Sequence, residues 1–491
     1  MSNSQPELQL STSLQKNKEL LHRLLPLDDS FDFVSREINL GNTPCFFLAI
    51  NGLCDFDVVL KIFSEIQLSD FKEAGKSPAQ TLPQQVKDQF LYTQVSFSSS
   101  PEELIYSLLS GPAILLIDGY AQALIIDTRE YPDRSTEEPD SEKVIRGSKD
   151  GFVENLVTNC CLIRRRLRNP DLTFSLSTIG TLSHTDVTLA YLKDSCDHKL
   201  LQEIQEKLAS LDTSCLTMGI QSLKELLVKK SFFHPMPGFF LTERPDVACS
   251  YLSEGYILAM VDNSPFALIL PCNLFQFTQS PEDYYKSPLV GTWQRLVRFI
   301  CLLISLLLMP LFLLLAQNPH WLSPPFQGLI PQDSSPLALF IYVLFVELGL
   351  DLFKYASSHT ASGYSGALAI VGGLLIGDTA IGLEWTNEEV IFYGAATLLA
   401  TLGLVSVELG DAIRLYRLFL ILLTGFFPPW GFWAGLALVL LSILSTPSFG
   451  KKSYFWPLFP FNWSALRTLL FRYPTFMAQP EKKNHAEGKR K

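Results

Sequence analysis

Four stretches of the chain, residues 299–316, 355–377, 390–407 and 418–450, run for 18, 23, 18 and 33 positions without an Asp, Glu, Lys or Arg. A helix needs about 20 predominantly apolar residues to span a bilayer, and backbone in lipid must close its own hydrogen bonds. Runs of this kind, clustered in one half of a chain, therefore predict a helical membrane bundle. The longest is broken at Pro428-Pro429 and is long enough for a hairpin of two short spans. Residues 336–346 are apolar too, but Glu347 and Asp351 follow, one helical turn apart. The segment 336–354 thus reads either as a further span or as a re-entrant or interfacial helix. The expectation is an all-α polytopic membrane domain over 289–450 with four to six spans.

Charge divides the chain in the same way. Residues 1–288 hold 25 Lys+Arg against 38 Asp+Glu, residues 289–450 hold 14 charges in 162 positions, and residues 451–491 hold nine basic groups against two acids. The acidic head argues against nucleic acid, since phosphate backbones need clustered Lys and Arg. The basic tail suits the surface of an anionic bilayer. Residues 1–25 are polar with no apolar core, so no cleaved signal peptide is read there and the head is expected on the synthesis side. Arg295 and Arg298 precede the first span, and Arg414 and Arg417 follow the 390–407 span. This bias predicts both termini in the cytoplasm and an even number of crossings. The nine cysteines show neither a Cys-x-x-Cys nor a zinc spacing and are read as reduced, mostly buried thiols.

The head alternates strand and helix signals and reads as an α+β or α/β fold in two subdomains, 31–135 and 136–288, behind a polar arm, 1–30. Strands are expected at 113–118 and 121–126 around an Asp-Gly turn, at 185–192, at 216–220, and as a hairpin at 257–261 and 266–270. Helices are expected at 55–66, 150–168, 198–211 and 222–229. No internal repeat is visible. Catalytic signatures are missing: the chain has no Gly-x-Ser-x-Gly, His-Glu-x-x-His, P-loop or GxGxxG, and its seven histidines are scattered. No metal, no cofactor and no enzymatic activity are expected.

The densest motif is Arg146-Gly-Ser-Lys-Asp-Gly-Phe-Val-Glu154, followed by Leu162-Ile-Arg-Arg-Arg-Leu-Arg168. Asp150 is placed as the N-cap of the helix, with Arg164, Arg165 and Arg166 in the last turns, where cations are favoured. With the preceding Tyr131-Pro-Asp-Arg-Ser-Thr-Glu-Glu-Pro-Asp-Ser-Glu-Lys-Val-Ile, this run closely resembles the hallmark of the GerA-type spore germination proteins, the A-subunit family. Ser148 and the tail run Trp456-Pro-Leu-Phe-Pro-Phe-Asn-Trp463 set it apart from the nutrient-receptor branch. Ala361 departs from the Pro expected after His359-Thr360, and residues 404–415 lack a Pro-Ser-Tyr-Glu pattern.

The resemblance implies a multi-pass protein of the spore inner membrane and a homo-oligomeric ring of A-type subunits, with other spore membrane proteins as partners. It implies a subunit that helps release ions or small solutes, such as dipicolinic acid, during germination. Arg146, Glu154, Arg164, Arg165 and Arg166 are then candidates for subunit contacts. Ionisable groups inside a bilayer are costly and usually face a bundle interior or a water path, which makes Glu347, Asp351 and Asp378 the candidates for a pore. The alternatives are a nutrient-sensing receptor A subunit with B and C partners, and a non-conducting membrane scaffold.

Overall fold

Two five-stranded sheets organise the first half of the chain. The computed structural model describes residues 9–40, 43–68, 94–132, 142, 147–228, 234–331, 334–358, 380–383, 385–447 and 454–472. It divides into two compact units, residues 1–229 with 241–271, and residues 230–240 with 272–491.

The first sheet is built from β1 (Phe33–Leu40), β2 (Thr43–Ile50), β3 (Val95–Ser98), β4 (Ala113–Ile117) and β5 (Ala123–Ile126), with helices α1 (Leu14–Leu24), α2 (Phe56–Leu68) and α3 (Pro101–Leu109). Its order is β1-β2-β4-β5-β3, and every neighbouring pair is antiparallel. Side chains alternate across a strand. Phe46, Leu48 and Ile50 of β2, with Ile114 and Leu116 of β4, enter one core with Leu21 of α1 and Leu104 and Leu108 of α3. Cys45, Phe47 and Ala49, with Leu115 and Ile117, enter a second core with Val59 of α2. The sheet is covered on both faces, which is why β2 and β4 read as continuous apolar runs.

The second sheet repeats this plan. After α4 (Leu156–Arg166) come β6 (Leu172–Ile179), β7 (Thr185–Leu192), α5 (His198–Ala209), α6 (Ile220–Leu227), β8 (Phe240–Thr242), α7 (Pro245–Ser253), β9 (Ile257–Val261) and β10 (Ala267–Leu270). The order β6-β7-β9-β10-β8 is that of the first sheet. The starts of α3, β4 and β5 are separated from those of α7, β9 and β10 by a constant 144 residues. Asp118 and Asp262 occupy equivalent turns: the Oδ1 of Asp118 accepts from Leu14 N at 3.0 Å, and that of Asp262 from Leu156 N at 3.2 Å. Asn17 holds the Ser11 backbone N–H and C=O at 2.8 and 2.6 Å, and Asn159 holds those of Val153 at the same two distances. The chain therefore contains a structural duplication that is not evident in the sequence.

The second unit is helical. It comprises α8 (Glu282–Tyr285), α9 (Pro288–Gln317), α10 (Pro336–Ser358), α11 (Glu388–Leu402), α12 (Val407–Phe426), α13 (Trp430–Leu444) and α14 (Trp463–Leu470). By length and composition, α9 and residues 336–356 of α10 are long and apolar enough to cross a membrane; α13 is apolar but has 15 residues. Glycines bring the helices together: a Cβ on Gly394 would lie 2.6 Å from Val346, and one on Gly425 would lie 2.2 Å from Phe340.

Several boundaries differ from the sequence expectation. Residues 216–219 form a turn ahead of α6 and not a strand. Helix α4 begins at Leu156, because the Asn155 side chain, and not that of Asp150, accepts from the Thr158 N–H. Helix α10 runs unbroken past Glu347 and Asp351. The hairpin broken at Pro428-Pro429 begins at Val407, so Arg414 and Arg417 lie inside α12 and not in a loop after a span. Most of the 355–377 stretch, with His359, Thr360 and Ala361, lies outside the described residues.

Candidate functional site

Glu347, Asp351 and Lys354 recur at one- and two-turn spacing on α10, and Asp411, Arg414 and Arg417 do so on α12. Residues three and four apart share a helix face, so each set forms a stripe. The two stripes meet in antiparallel order. Arg417 forms a bidentate pair with Glu347, Nε to Oε1 at 2.8 Å and Nη2 to Oε2 at 2.9 Å. Arg414 Nη1 lies 3.3 Å from Asp351 Oδ1, and Lys354 Nζ lies 2.6 Å from Asp411 Oδ1. The result is a seam of three ion pairs up the contact between α10 and α12.

The rungs differ in their exposure. Glu347 and Arg417 are each 2% exposed. The side chains of Asp351 and Asp411 are 37% and 47% exposed. The inner rung is also the most fully bonded. Arg417 Nη1 donates to Ser305 O of α9 at 2.9 Å, and the Ser305 hydroxyl pairs with Thr401 Oγ1 of α11 at 2.7 Å. One guanidinium thus ties four helices together. Removing one partner of a buried pair leaves an uncompensated charge, which costs about 3–5 kcal/mol. Asp378, the third candidate pore carboxylate, lies outside the described residues.

In the head, the motif helix turns inward. Arg164 is fully buried. Its Nε donates to Asp32 Oδ2 at 2.9 Å, its Nη1 and Nη2 to Asn169 O and Leu172 O at 3.1 and 2.9 Å, and it packs on Phe33 and Phe174. Arg164 therefore joins the two sheets within one chain. Arg165 stays at the surface over the Tyr131 ring, Arg166 pairs with Asp150, and the Glu154 side chain is exposed. Arg146 lies outside the described residues. The Gly-Ser-Lys-Asp-Gly loop is held by buried Arg244, which donates to Glu142 O and Ser148 O at 3.2 and 3.0 Å and pairs with Asp246. Gly147 sits at φ +141, in the left-handed half of backbone space that glycine favours. Sequence reasoning missed Arg244, Lys354 and Asp32, and read Arg414 only as a topology signal. Arg417 carried a signal, a cation one residue ahead of an apolar run, but that signal was read as topology.

Three of the head's buried thiols are not set up as nucleophiles. Burial raises the thiols of Cys45, Cys54 and Cys161 to about 12, 11 and 12, far from a reactive thiolate at neutral pH. Among the described residues no three His, Cys, Asp or Glu side chains gather as metal ligands would.

Comparison with known proteins accounts for the motif. The family model described as Bacillus/Clostridium GerA spore germination protein matches residues 21–484. Stage V sporulation protein AF of Bacillus subtilis (strain 168) is 34% identical over 459 residues, 93% of this chain and 92% of that protein. Spore germination protein KA of the same organism is 29% identical over 95% of this chain and 85% of its own length. The crystal structure of the N-terminal domain of the A subunit of the Bacillus megaterium spore germinant receptor GerK3 aligns over 54% of this chain and 97% of its own, at 26% identity and a TM-score of 0.42. One family model spans nearly the whole chain, and a relative at 34% identity covers nine-tenths of it: the chain belongs to the GerA spore germination protein family.

Proposed function

We propose that the chain is a multi-pass subunit of a germination complex in the spore inner membrane, with both termini cytoplasmic, and that it helps ions or small solutes such as dipicolinic acid leave when germination begins. It acts without enzymatic chemistry, as one member of a homo-oligomeric ring with other spore membrane proteins beside it. Of the candidate contact residues, Glu154, Arg165 and Arg166 have the surface exposure that such a ring needs.

The seam between α10 and α12 is the observation that carries this reading. It is a polar seam within apolar helices, exposed at its outer rungs and closed at Glu347–Arg417. Its rungs lie about one turn apart and the outermost is reversed, with the cation on α10, so a one-turn slide that carries Arg417 to Asp351 sets Arg414 against Lys354. Opening then means breaking the inner pair.

Release of dipicolinic acid from spores carrying Glu347→Gln, Arg417→Gln or the charge swap E347R/R417E tests this. Each single substitution is expected to change the release rate at least several-fold while the protein still assembles in the membrane. The swap is expected to move it back towards the native rate. Unchanged release from assembled Glu347→Gln protein would leave the non-conducting scaffold as the better reading. Loss of the response to one germinant alone would favour the nutrient receptor.

A further inference from the structure

Where α9 begins, three arginines gather around one carboxylate. Asp283 of α8 is fully buried. Its Oδ2 accepts from Arg295 Nε at 3.2 Å and from Arg298 Nη2. Arg472 joins them from just beyond α14: its backbone N–H donates to Thr292 Oγ1 at 3.1 Å, and its guanidinium donates to Tyr284 O at 2.8 Å and to Lys286 O. The Tyr284 ring lies 5.3 Å from the Arg295 guanidinium and 5.8 Å from that of Arg472. Lys286 is already matched by Glu282 at 2.9 Å.

The cluster is short of negative charge. Two guanidiniums pair with one carboxylate and a third sits on the carbonyls beside it, a surplus of two positive charges. Arg295 Nη2, Arg298 Nε and Arg472 Nε are buried donors with no hydrogen-bond partner among the described residues, against one unpaired acceptor, Asp283 Oδ1. If Oδ1 takes up one of them, two remain. Arg295 itself is 3% exposed, and its Nη1 is committed to Thr468 O and Leu469 O at the end of α14, each at 3.2 Å. Unsatisfied charged donors at this depth are costly unless a strong acceptor reaches them.

Position decides the kind of acceptor. Arg298 immediately precedes the uncharged run 299–316 of α9. Tyr284 of α8, Trp293 of α9 and Trp463 of α14 are large aromatic side chains left exposed in the three helices that frame the cluster. Aromatic residues and arginines at the head of an apolar helix mark the headgroup level of a bilayer. A phosphate offers several charged oxygens and accepts forked bonds from guanidinium groups.

We propose that Arg295, Arg298 and Arg472 form a phosphate site that holds the headgroup of an anionic lipid at the entrance of α9. The site rests on the reading of the helical unit as membrane-embedded. It pins α8, α9 and α14 to the lipid surface and gives the basic tail a fixed starting point.

The test uses full-length protein reconstituted into vesicles of phosphatidylcholine alone or mixed with phosphatidylglycerol, followed by detergent extraction and counting of retained lipid. Phosphatidylglycerol is expected to stay bound and phosphatidylcholine to wash away. Arg298→Gln is expected to lower retention about fivefold, and adding Arg472→Gln to lower it further, at unchanged insertion, with the two lysine substitutions keeping most of it. Arg298→Gln alone decides the matter if the double variant fails to insert. Equal retention of the two lipids by the native protein, or unchanged retention in Arg298→Gln, overturns the site. Stabilisation by millimolar inorganic phosphate without lipid retention assigns the arginines to a free anion and overturns the lipid. Failure to insert even into phosphatidylcholine removes the membrane reading instead, a result distinct from all of these.

Discussion

Glu142 lies in the signature motif and is held from two sides: its Oε2 accepts from Thr242 Oγ1 at 2.7 Å and from the Glu243 N–H at 2.8 Å. Burial pushes its carboxyl up to about 7, with the two hydrogen bonds pulling the other way. Between its ordinary value near 4.5 and about 7, the folded chain keeps a proton that the unfolded chain releases. The stability this gives is complete below the unfolded value and is lost as pH rises through about 7. Raising pH from 5 to 8 is therefore expected to weaken the native protein by up to about 3 kcal/mol relative to Glu142→Gln, read from thermal unfolding at each pH. Parallel pH curves for the two proteins would mean that Glu142 does not titrate there. No pattern in the sequence distinguishes Glu142 from the other carboxylates of the motif. Its burial comes from β8 and Arg244, a hundred residues away.

Among the elements, those with a single repeating character were legible. Strand β7 falls on the expected 185–192 and β9 on 257–261, because β9 is an unbroken apolar run and β7 is apolar from Leu189 to Leu192, each bounded by turn residues. Strands β1 and β6 were not seen. Their polar residues, as in Ser35-Arg36-Glu37 and Ser175 to Thr178, belong to edge strands with water on part of their surface, which blurs the alternation. Helix α12 was misplaced for the opposite reason: its charged first half looked like a loop when it is one side of the ion-pair seam. At this scale the two buried asparagines invite a paired test. Asn17→Ala and Asn159→Ala each remove two hydrogen bonds and leave a backbone N–H and C=O without their partner. Each is expected to cost about 2 kcal/mol. Thermal unfolding would show the two losses to be alike, whereas a loss in only one would separate the two positions.

Across the whole molecule, the division into a head and a helical half could be read from charge, the α+β character of the head from its alternating strand and helix signals, and the family from one motif. The seam and the duplication could not, since each depends on which residues meet and not on which residues are present. Arg164 shows the difference. In the sequence it is one of a row of surface cations; in the structure it closes the joint between the two sheets. Arg164→Leu is expected to destabilise the head by about 3–5 kcal/mol by stranding Asp32, and the double variant with Asp32→Asn to cost clearly less than the sum of the two singles. Strict additivity would show that the pair is not coupled.

The duplication has a practical consequence. Position 22 lies in the last turn of α1 as an exposed His beside Asp28, and position 164 lies in the last turn of α4 as the sealed Arg of the joint. Two copies of one plan, with turns at matching places, have been given different duties at this pair of positions. Each substitution in one copy therefore has its own reference in the other. A change that harms both copies alike reports on the shared architecture, and one that harms a single copy reports on what that copy alone has come to do.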